Sequence, residues 1–228
     1  LFDGLRRREA YATSGTRPVV RFFAGNYEEN LCEDPDAISK AYAQGVPMGG
    51  EITVDGNGTA PRFYITAQRD TGTPQFPGNP LERMQIVKGW VDADGATHEA
   101  VYDVAGKPVE GLGINPESCE ATARGAVQLC TVWQDPDQQA SQRAFYYARI
   151  LETPSCRWST RQCQAVGINP FSQQCPEQLA ASAALAETQG ASADAYRNCC
   201  LTEDSEAFYS PTIQERAWTS PIWVNSTR

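Results

Sequence analysis

The chain has 228 residues, 41% of them hydrophobic and 21% charged, enough for one all-β domain or a domain with a subdomain, and too apolar for a disordered polyampholyte. Lys and Arg number 19 against 28 Asp and Glu, a net charge of −9, which excludes a general nucleic-acid backbone binder because phosphate neutralisation needs a basic face. With a single histidine, His98, the chain cannot build a histidine-rich metal centre by itself.

In chain order, residues 2–9 (FDGLRRRE) place Phe2 and Leu5 on one side and predict the last turns of a helix. No signal peptide precedes Leu1, so the chain reads as a fragment or a processed product. Residues 11–17 (YATSGTR) form a turn segment ending at Pro18, and the β-branched and aromatic run 19–23 predicts a strand. Residues 24–48 carry Asn, Asp, Gly and Pro throughout and read as irregular. Residues 52–54 predict a short edge strand closed by the turn Asp55-Gly56-Asn57-Gly58. In RFYITAQ (62–68), Phe63, Ile65 and Ala67 share one face and Tyr64 and Thr66 the other; residues 69–80 are a loop.

The strongest hairpin signal follows. RMQIVKGWV (83–91) and THEAVYDV (97–104) flank Asp92-Ala93-Asp94-Gly95, and Asp-Gly between alternating runs specifies a tight turn. Gly89 inside the first strand suggests a bulge. GAVQLCTVWQ (125–134) and RAFYYARIL (143–151) predict a second strand pair, and residues 221–224 a last short strand. Residues 153–217 break the pattern: Pro176 opens the helical run PEQLAASAALAETQG, which ends at Gly190. No tandem repeat and no run of about 18 apolar residues occurs, so no transmembrane helix is expected. About seven strands with intervening turns predict a mainly β fold, an antiparallel immunoglobulin-like β-sandwich with a small helical, disulfide-rich insertion. A small closed barrel is the alternative.

The eight cysteines favour disulfides over zinc, because C-x2-C pairs are absent and five crowd into residues 156–200. Locality pairs Cys119 with Cys130 and keeps Cys156, Cys163, Cys175, Cys199 and Cys200 among themselves, leaving Cys32 a distant partner or none. Connectivity itself does not follow from sequence.

Candidate chemistry is sparse. His98 reads first as a surface or structural histidine, and no Ser-His-Asp set or G-x-S-x-G motif is present. Asp92-Ala93-Asp94-Gly95 and Asp135-Pro136-Asp137 read as a turn and a loop before they read as metal sites. Asn57-Gly58-Thr59 and Asn225-Ser226-Thr227 fit the glycosylation pattern. Arg6, Arg7, Arg8, Arg17 and Arg21 form a local basic cluster. With the hydroxyls of Thr13, Ser14 and Thr16 it could receive an anion; the plainer alternative is a solvated helix end and a docking turn. Trp90, Trp133, Trp158, Trp218 and Trp223 are spread over the chain, and core packing accounts for most of them.

Several stretches together carry a resemblance: LRRREAYATSGTRPVVRFFAG (5–25), GVPMGGEI (45–52), LERMQIVKGW (81–90), EAVYDVA (99–105), WQDPD (133–137), AFYYARILETPSCRWST (144–160) and QERAWTSPIWV (214–224). They resemble the C-terminal part of a bacterial family catalogued as domain of unknown function 3604. That resemblance implies an exported, periplasmic or secreted protein. Its N-terminal part would be a metal-dependent phosphoesterase of the PHP (polymerase and histidinol phosphatase) type. It implies that residues 1–17 end the last catalytic-domain helix and leave it, and that residues 18–228 form the β-sandwich domain, with 153–217 as its insertion. The divalent metal would sit in the missing part, with no catalytic residue, metal or cofactor here. The partner would be the N-terminal domain of the same parent chain, with no nucleic acid and no membrane insertion. Tyr11, Thr13, Ser14 and Arg17 are the candidates for reaching the parent's site. The alternatives are an independent binding module for glycan or a cell-envelope partner, and, last, a hydrolase using Asp and Glu alone.

Overall fold

The computed structural model describes residues 1–54, 60–75, 77–139, 142–192, 194–202, 204–206 and 208–226. The chain forms two compact units, Leu1–Pro108 with Gly125–Glu152 and Glu215–Arg228, and Val109–Arg124 with Thr153–Gln214.

In chain order the elements are α1 (Phe2–Arg6), β1 (Tyr11–Thr13), β2 (Val19–Gly25), a 3-10 turn (Glu29–Glu33), α2 (Ala37–Gln44), β3 (Gly45–Pro47), β4 (Glu51–Val54) and β5 (Arg62–Gln68). There follow β6 (Leu81–Val91), β7 (Thr97–Gly106), β8 (Gln128–Gln134) and β9 (Ala144–Glu152). Next come β10 (Ser155–Cys156), α3 (Trp158–Ala165), α4 (Cys175–Thr188), β11 (Thr212–Ile213), β12 (Arg216–Thr219) and β13 (Ile222–Ser226).

The first unit is a sandwich of two sheets. A four-stranded sheet runs β3-β2-β5-β8, antiparallel throughout. The other sheet is centred on β9. One edge of β9 pairs with β6, which pairs in turn with β7. The other edge is shared end to end by β12 and β13. Ser220 and Pro221 separate these two strands; proline has no N–H to give to a ladder. β1 borders β12, and β4 runs parallel to β13, a departure from the all-antiparallel expectation. The core lies between the sheets. Val20, Phe22, Ala24, Phe63, Ile65 and Ala67 come from one, and Met84, Ile86, Tyr146, Ala148 and Ile150 from the other. Period-two alternation aims these sets inward, and each large apolar side chain so buried contributes about 1.5–3 kcal/mol.

Tyr64, predicted to face away from Phe63, is nonetheless buried. With Phe23 it packs under Tyr27, Leu31, Ala37 and Ala41. Residues 24–48 are therefore more regular than expected. Ala37 and Ala41, one turn apart, fit α2 closely against the aromatic outer face of β2 and β5. Two strand assignments also change. β8 and β9 do not pair: β8 joins β5 in one sheet and β9 joins β6 in the other. Gly89 is not a bulge, since it stays in register opposite Phe145 and Glu99; the register shifts lie at Met84/Gln85 and Leu81/Arg83. The hairpin turn is as read: Gly95 has φ +84°, and Asp92 Oδ1 accepts from the backbone N–H of Asp94 at 3.0 Å and of Ala96 at 2.9 Å. The turn at 55–58 lies outside the described residues.

The second unit carries α3, α4 and the two-stranded β10-β11 ribbon. Its disulfides join Cys119 to Cys156, Cys163 to Cys199 and Cys175 to Cys200. The adjacent Cys199 and Cys200 thus fasten α3 and the start of α4 separately. Pro176 lies in the first turn of α4. The pairing of Cys119 with Cys130 is overturned. Cys130 sits on β8 among the cluster under the 3-10 turn, and it bonds Cys32 with Cα atoms 5.8 Å apart. All eight cysteines are bonded, which suits an oxidising environment.

Candidate functional site

Three groups of side chains in the first unit bring polar or aromatic residues together: the segment 11–17, a buried charge network behind β6, and a recess on the β-sheet that contains β9.

β1 lies antiparallel to β12, with Tyr11 opposite Thr219 and Thr13 opposite Ala217. The Ser14 hydroxyl donates to the Glu215 carboxylate, and Ser14 Oγ accepts from the Arg216 backbone N–H at 3.0 Å. Thr16 donates its hydroxyl to Glu152, which also receives Asn79 Nδ2 at 3.1 Å. The Arg17 backbone N–H donates to Asp70 Oδ2 at 2.9 Å, while its side chain is exposed. The hydroxyls thus serve the chain's own carboxylates. Burial pushes the Glu152 carboxyl above its ordinary range, against the hydrogen bonds from Thr16 and Asn79 and helped by the negative charges of Glu215 and Asp70. Asp70 is held below its range by backbone N–H donors from Gly72 and Arg17. The arginines are engaged separately. Arg7 pairs with Glu9 at 3.0 Å, Arg8 lies 4.8 Å over the Trp223 ring, and Arg21 donates to the Val20 carbonyl at 3.2 Å. Tyr11 lines a small recess of about 150 Å³ with Arg21, Met48 and Tyr42, whose hydroxyl donates to Glu9.

The WQDPD stretch supplies the second group. Lys88 Nζ lies 2.6 Å from Asp135 Oδ2, with side chains 1% and 0% exposed. Tyr146 donates to the same oxygen at 2.7 Å, and the Asp137 N–H donates to Asp135 Oδ1 at 2.9 Å. Lys88 also donates to the Asp137 carbonyl at 3.3 Å, and Tyr102 donates to Asp137 Oδ2 at 3.1 Å. Burial, and then the adjacent carboxylates, push Tyr102 up to about 12 and raise Tyr146 as well, so both hydroxyls stay donors. Every acceptor of Asp135 is thereby turned to the protein. Nothing local in the sequence singles out Lys88; its inward parity with Met84 and Ile86 on β6 is the only signal.

The third group is a recess of about 460 Å³ lined by Gly89, Trp90, Phe145, Trp223, Arg143 and Asn225, among others. Phe145 and Trp223 are register partners on adjacent strands. Trp90 stacks on His98 with centroids 5.2 Å apart, and His98 Nε2 lies 2.6 Å from Asp92 Oδ2. That hydrogen bond, then the Ala96 N–H, holds Asp92 below the usual carboxylate range. Two of the tryptophans that look scattered in the sequence therefore meet at one place. Trp133 instead packs against Phe63 and Tyr102, and Trp158, in the second unit, is exposed. The side chain of Asn225 accepts from Arg143 at 3.4 Å. Thr227 of that glycosylation pattern, and all of Asn57-Gly58-Thr59, lie outside the described residues.

Among the described residues, no group of three or more His, Cys, Asp or Glu side chains could hold a metal ion. No helix among them is long and apolar enough to cross a membrane. Residues 1–183 match the model of a family described as a protein of unknown function, DUF3604. No curated protein and no solved structure matches the chain.

Proposed function

The chain belongs to the DUF3604 family, and we propose that it acts there as the accessory β-sandwich domain of an exported, periplasmic or secreted, PHP-like metal-dependent (phospho)esterase. Its role is to cap or buttress the catalytic part of the parent protein. The observation that carries this function is the apolar exposure of α1. No residue of that helix is buried, and Phe2 and Leu5 are 72% and 60% exposed. Phe2 and Leu5 give this short helix an apolar surface that a docking contact could cover. The segment that follows α1 is fixed to the sandwich by the β1–β12 ladder, by Ser14 and Thr16, and by the Arg17 N–H. A helix held this way transmits a docking contact to the sandwich.

In the parent, bound metal would activate water for attack on the ester. The described residues do not fit such a metal. His98, the one imidazole, is taken by Asp92 and Trp90, and Asp135 by Lys88 and Tyr146. No step of that chemistry is assigned to this chain. Of the four residues proposed to reach the parent's site, Tyr11, Ser14 and Arg17 are exposed, Ser14 being engaged by Glu215 and Arg216, and Thr13 is half-buried in the β1–β12 ladder. The test is the double substitution Phe2→Ser and Leu5→Ser in the full-length parent. Turnover and the melting temperature of the catalytic part should both fall, while the circular dichroism of the sandwich stays unchanged. Unaltered kinetics and melting would contradict the buttress role.

A further inference from the structure

Phe145 lies across the outer face of its sheet instead of standing upright on it. Its register partner on β6 is Gly89, and a Cβ built on Gly89 would overlap the tip of the Phe145 ring. The missing side chain is therefore the space the ring occupies. The tip of the ring lies over Gly89, and the residue remains 40% exposed within the recess of about 460 Å³. An aromatic ring held at its tip and still exposed offers a rigid apolar surface at little entropic cost.

The rim of the recess is polar. Arg143 and Asn225 stand beside Phe145, with Arg143 Nε and Nη2 both 3.4 Å from Asn225 Oδ1. Such long contacts leave the guanidinium fork with donor capacity to spend on a ligand. Among the described residues Arg143 has no carboxylate partner within ion-pair distance. Thr97 and His98 complete the opposite wall. Beneath the recess Trp90 is fixed by stacking on His98 and by Lys88 Nζ, which lies 4.9 Å from its ring. Trp223 is held by the Arg8 guanidinium on its face.

An exposed aromatic ring beside paired planar donors and acceptors has the chemistry of a sugar site. The ring takes the C–H face of a pyranose, and Arg143 and Asn225 take adjacent hydroxyls. We propose that this recess binds a neutral oligosaccharide, with Phe145 as the platform and Arg143 and Asn225 as the hydroxyl-reading pair. Charge argues for a neutral ligand: the chain carries −9 overall, and Asp92 and the exposed Glu99 stand near the recess on the turn and strand that bear Thr97 and His98. A polyanionic glycan would meet that field with one arginine in its favour. This site does not depend on the buttress role proposed above, since its platform and its polar rim are Phe145, Arg143 and Asn225, none of them in α1.

The experiment is calorimetric titration of the whole chain with cellohexaose, maltohexaose and chitohexaose, and with oligogalacturonate as the anionic control. Binding of at least one neutral oligosaccharide is expected. Phe145→Ala should weaken it about tenfold or more, as loss of an aromatic platform does, and Phe145→Trp should retain it. Gly89→Ala, which displaces the ring without removing it, should also weaken binding. Because Phe145→Ala and Gly89→Ala could perturb the sheet, the exposed-rim variant Arg143→Ala provides the second reading and should weaken binding with no change in melting temperature. No binding of any neutral oligosaccharide, binding indifferent to Phe145→Ala and Arg143→Ala, or binding of oligogalacturonate alone would each overturn the proposal.

Discussion

Lys88 on β6 and Asp135 just after β8 form an ion pair of 2.6 Å shut away from water in the sandwich interior. Two isolated charges could not persist there; they do so because each is further bonded, Asp135 by Tyr146 and the Asp137 N–H, and Lys88 by the Asp137 carbonyl. The pair ties the segment that follows β8 in one sheet to β6 in the other.

Removing one partner strands the other charge. Asp135→Ala should therefore cost about 3–5 kcal/mol of stability in the sandwich, whereas Lys88→Met combined with Asp135→Leu should recover most of it. Tyr146→Phe should cost about 1.5–3 kcal/mol, the worth of a hydrogen bond to a charged group with its ring packing kept. Urea titration followed by tryptophan fluorescence checks all three. A double variant as unstable as the single would contradict the pairing.

Glu152 and Asp92 depend on pH with opposite signs. Burial raises the folded-state value of Glu152, so its contribution is held below the unfolded value, near 4.3, and is lost as pH rises through the folded value. The melting-temperature difference of Glu152→Gln over the native protein should therefore be more positive at pH 8 than at pH 4. Asp92 is lowered, so its contribution is present above about 3.9 and is lost as pH falls through the folded value. Asp92→Asn should lower the melting temperature at pH 7 and make little difference near pH 2. Thermal scans across this range decide both signs.

Part of this architecture is legible in the sequence. The β6–β7 hairpin is read from alternation and Asp-Gly because both signals are local. The inward set Phe63, Ile65 and Ala67 follows from the same period. Pairings between distant segments carry no such mark. Cys32 and Cys130 are 98 residues apart, and nearness in sequence misassigns Cys130 to Cys119. Runs 125–134 and 143–151 look like a hairpin because they adjoin, yet their strands lie in different sheets. α2 is hidden because its contact residues are alanines, weak in any hydrophobic pattern. The Phe145–Gly89 recess is least legible of all: its members come from β6, β7, β9 and β13, and only the register brings them together.

The two units should also differ in their dependence on disulfides. Residues Val109–Arg124 and Thr153–Gln214 hold three disulfides and only small buried clusters. The sandwich holds one disulfide and the main core. Under reduction the second unit should lose amide protection, as small cores do without their cross-links, while β5, β6 and β9 keep theirs. Hydrogen exchange by mass spectrometry, with and without reductant, resolves the two. Equal loss in both units would contradict this division.

The accessory role is tested most directly by a paired assay. The full-length parent and this chain alone, each with its metal content determined, are presented with chromogenic phosphomonoesters, phosphodiesters and carboxylic esters in added Mn²⁺ or Zn²⁺. The account predicts a metal-loaded, active parent and an inert chain without bound metal. Metal-dependent turnover by the chain alone would contradict it.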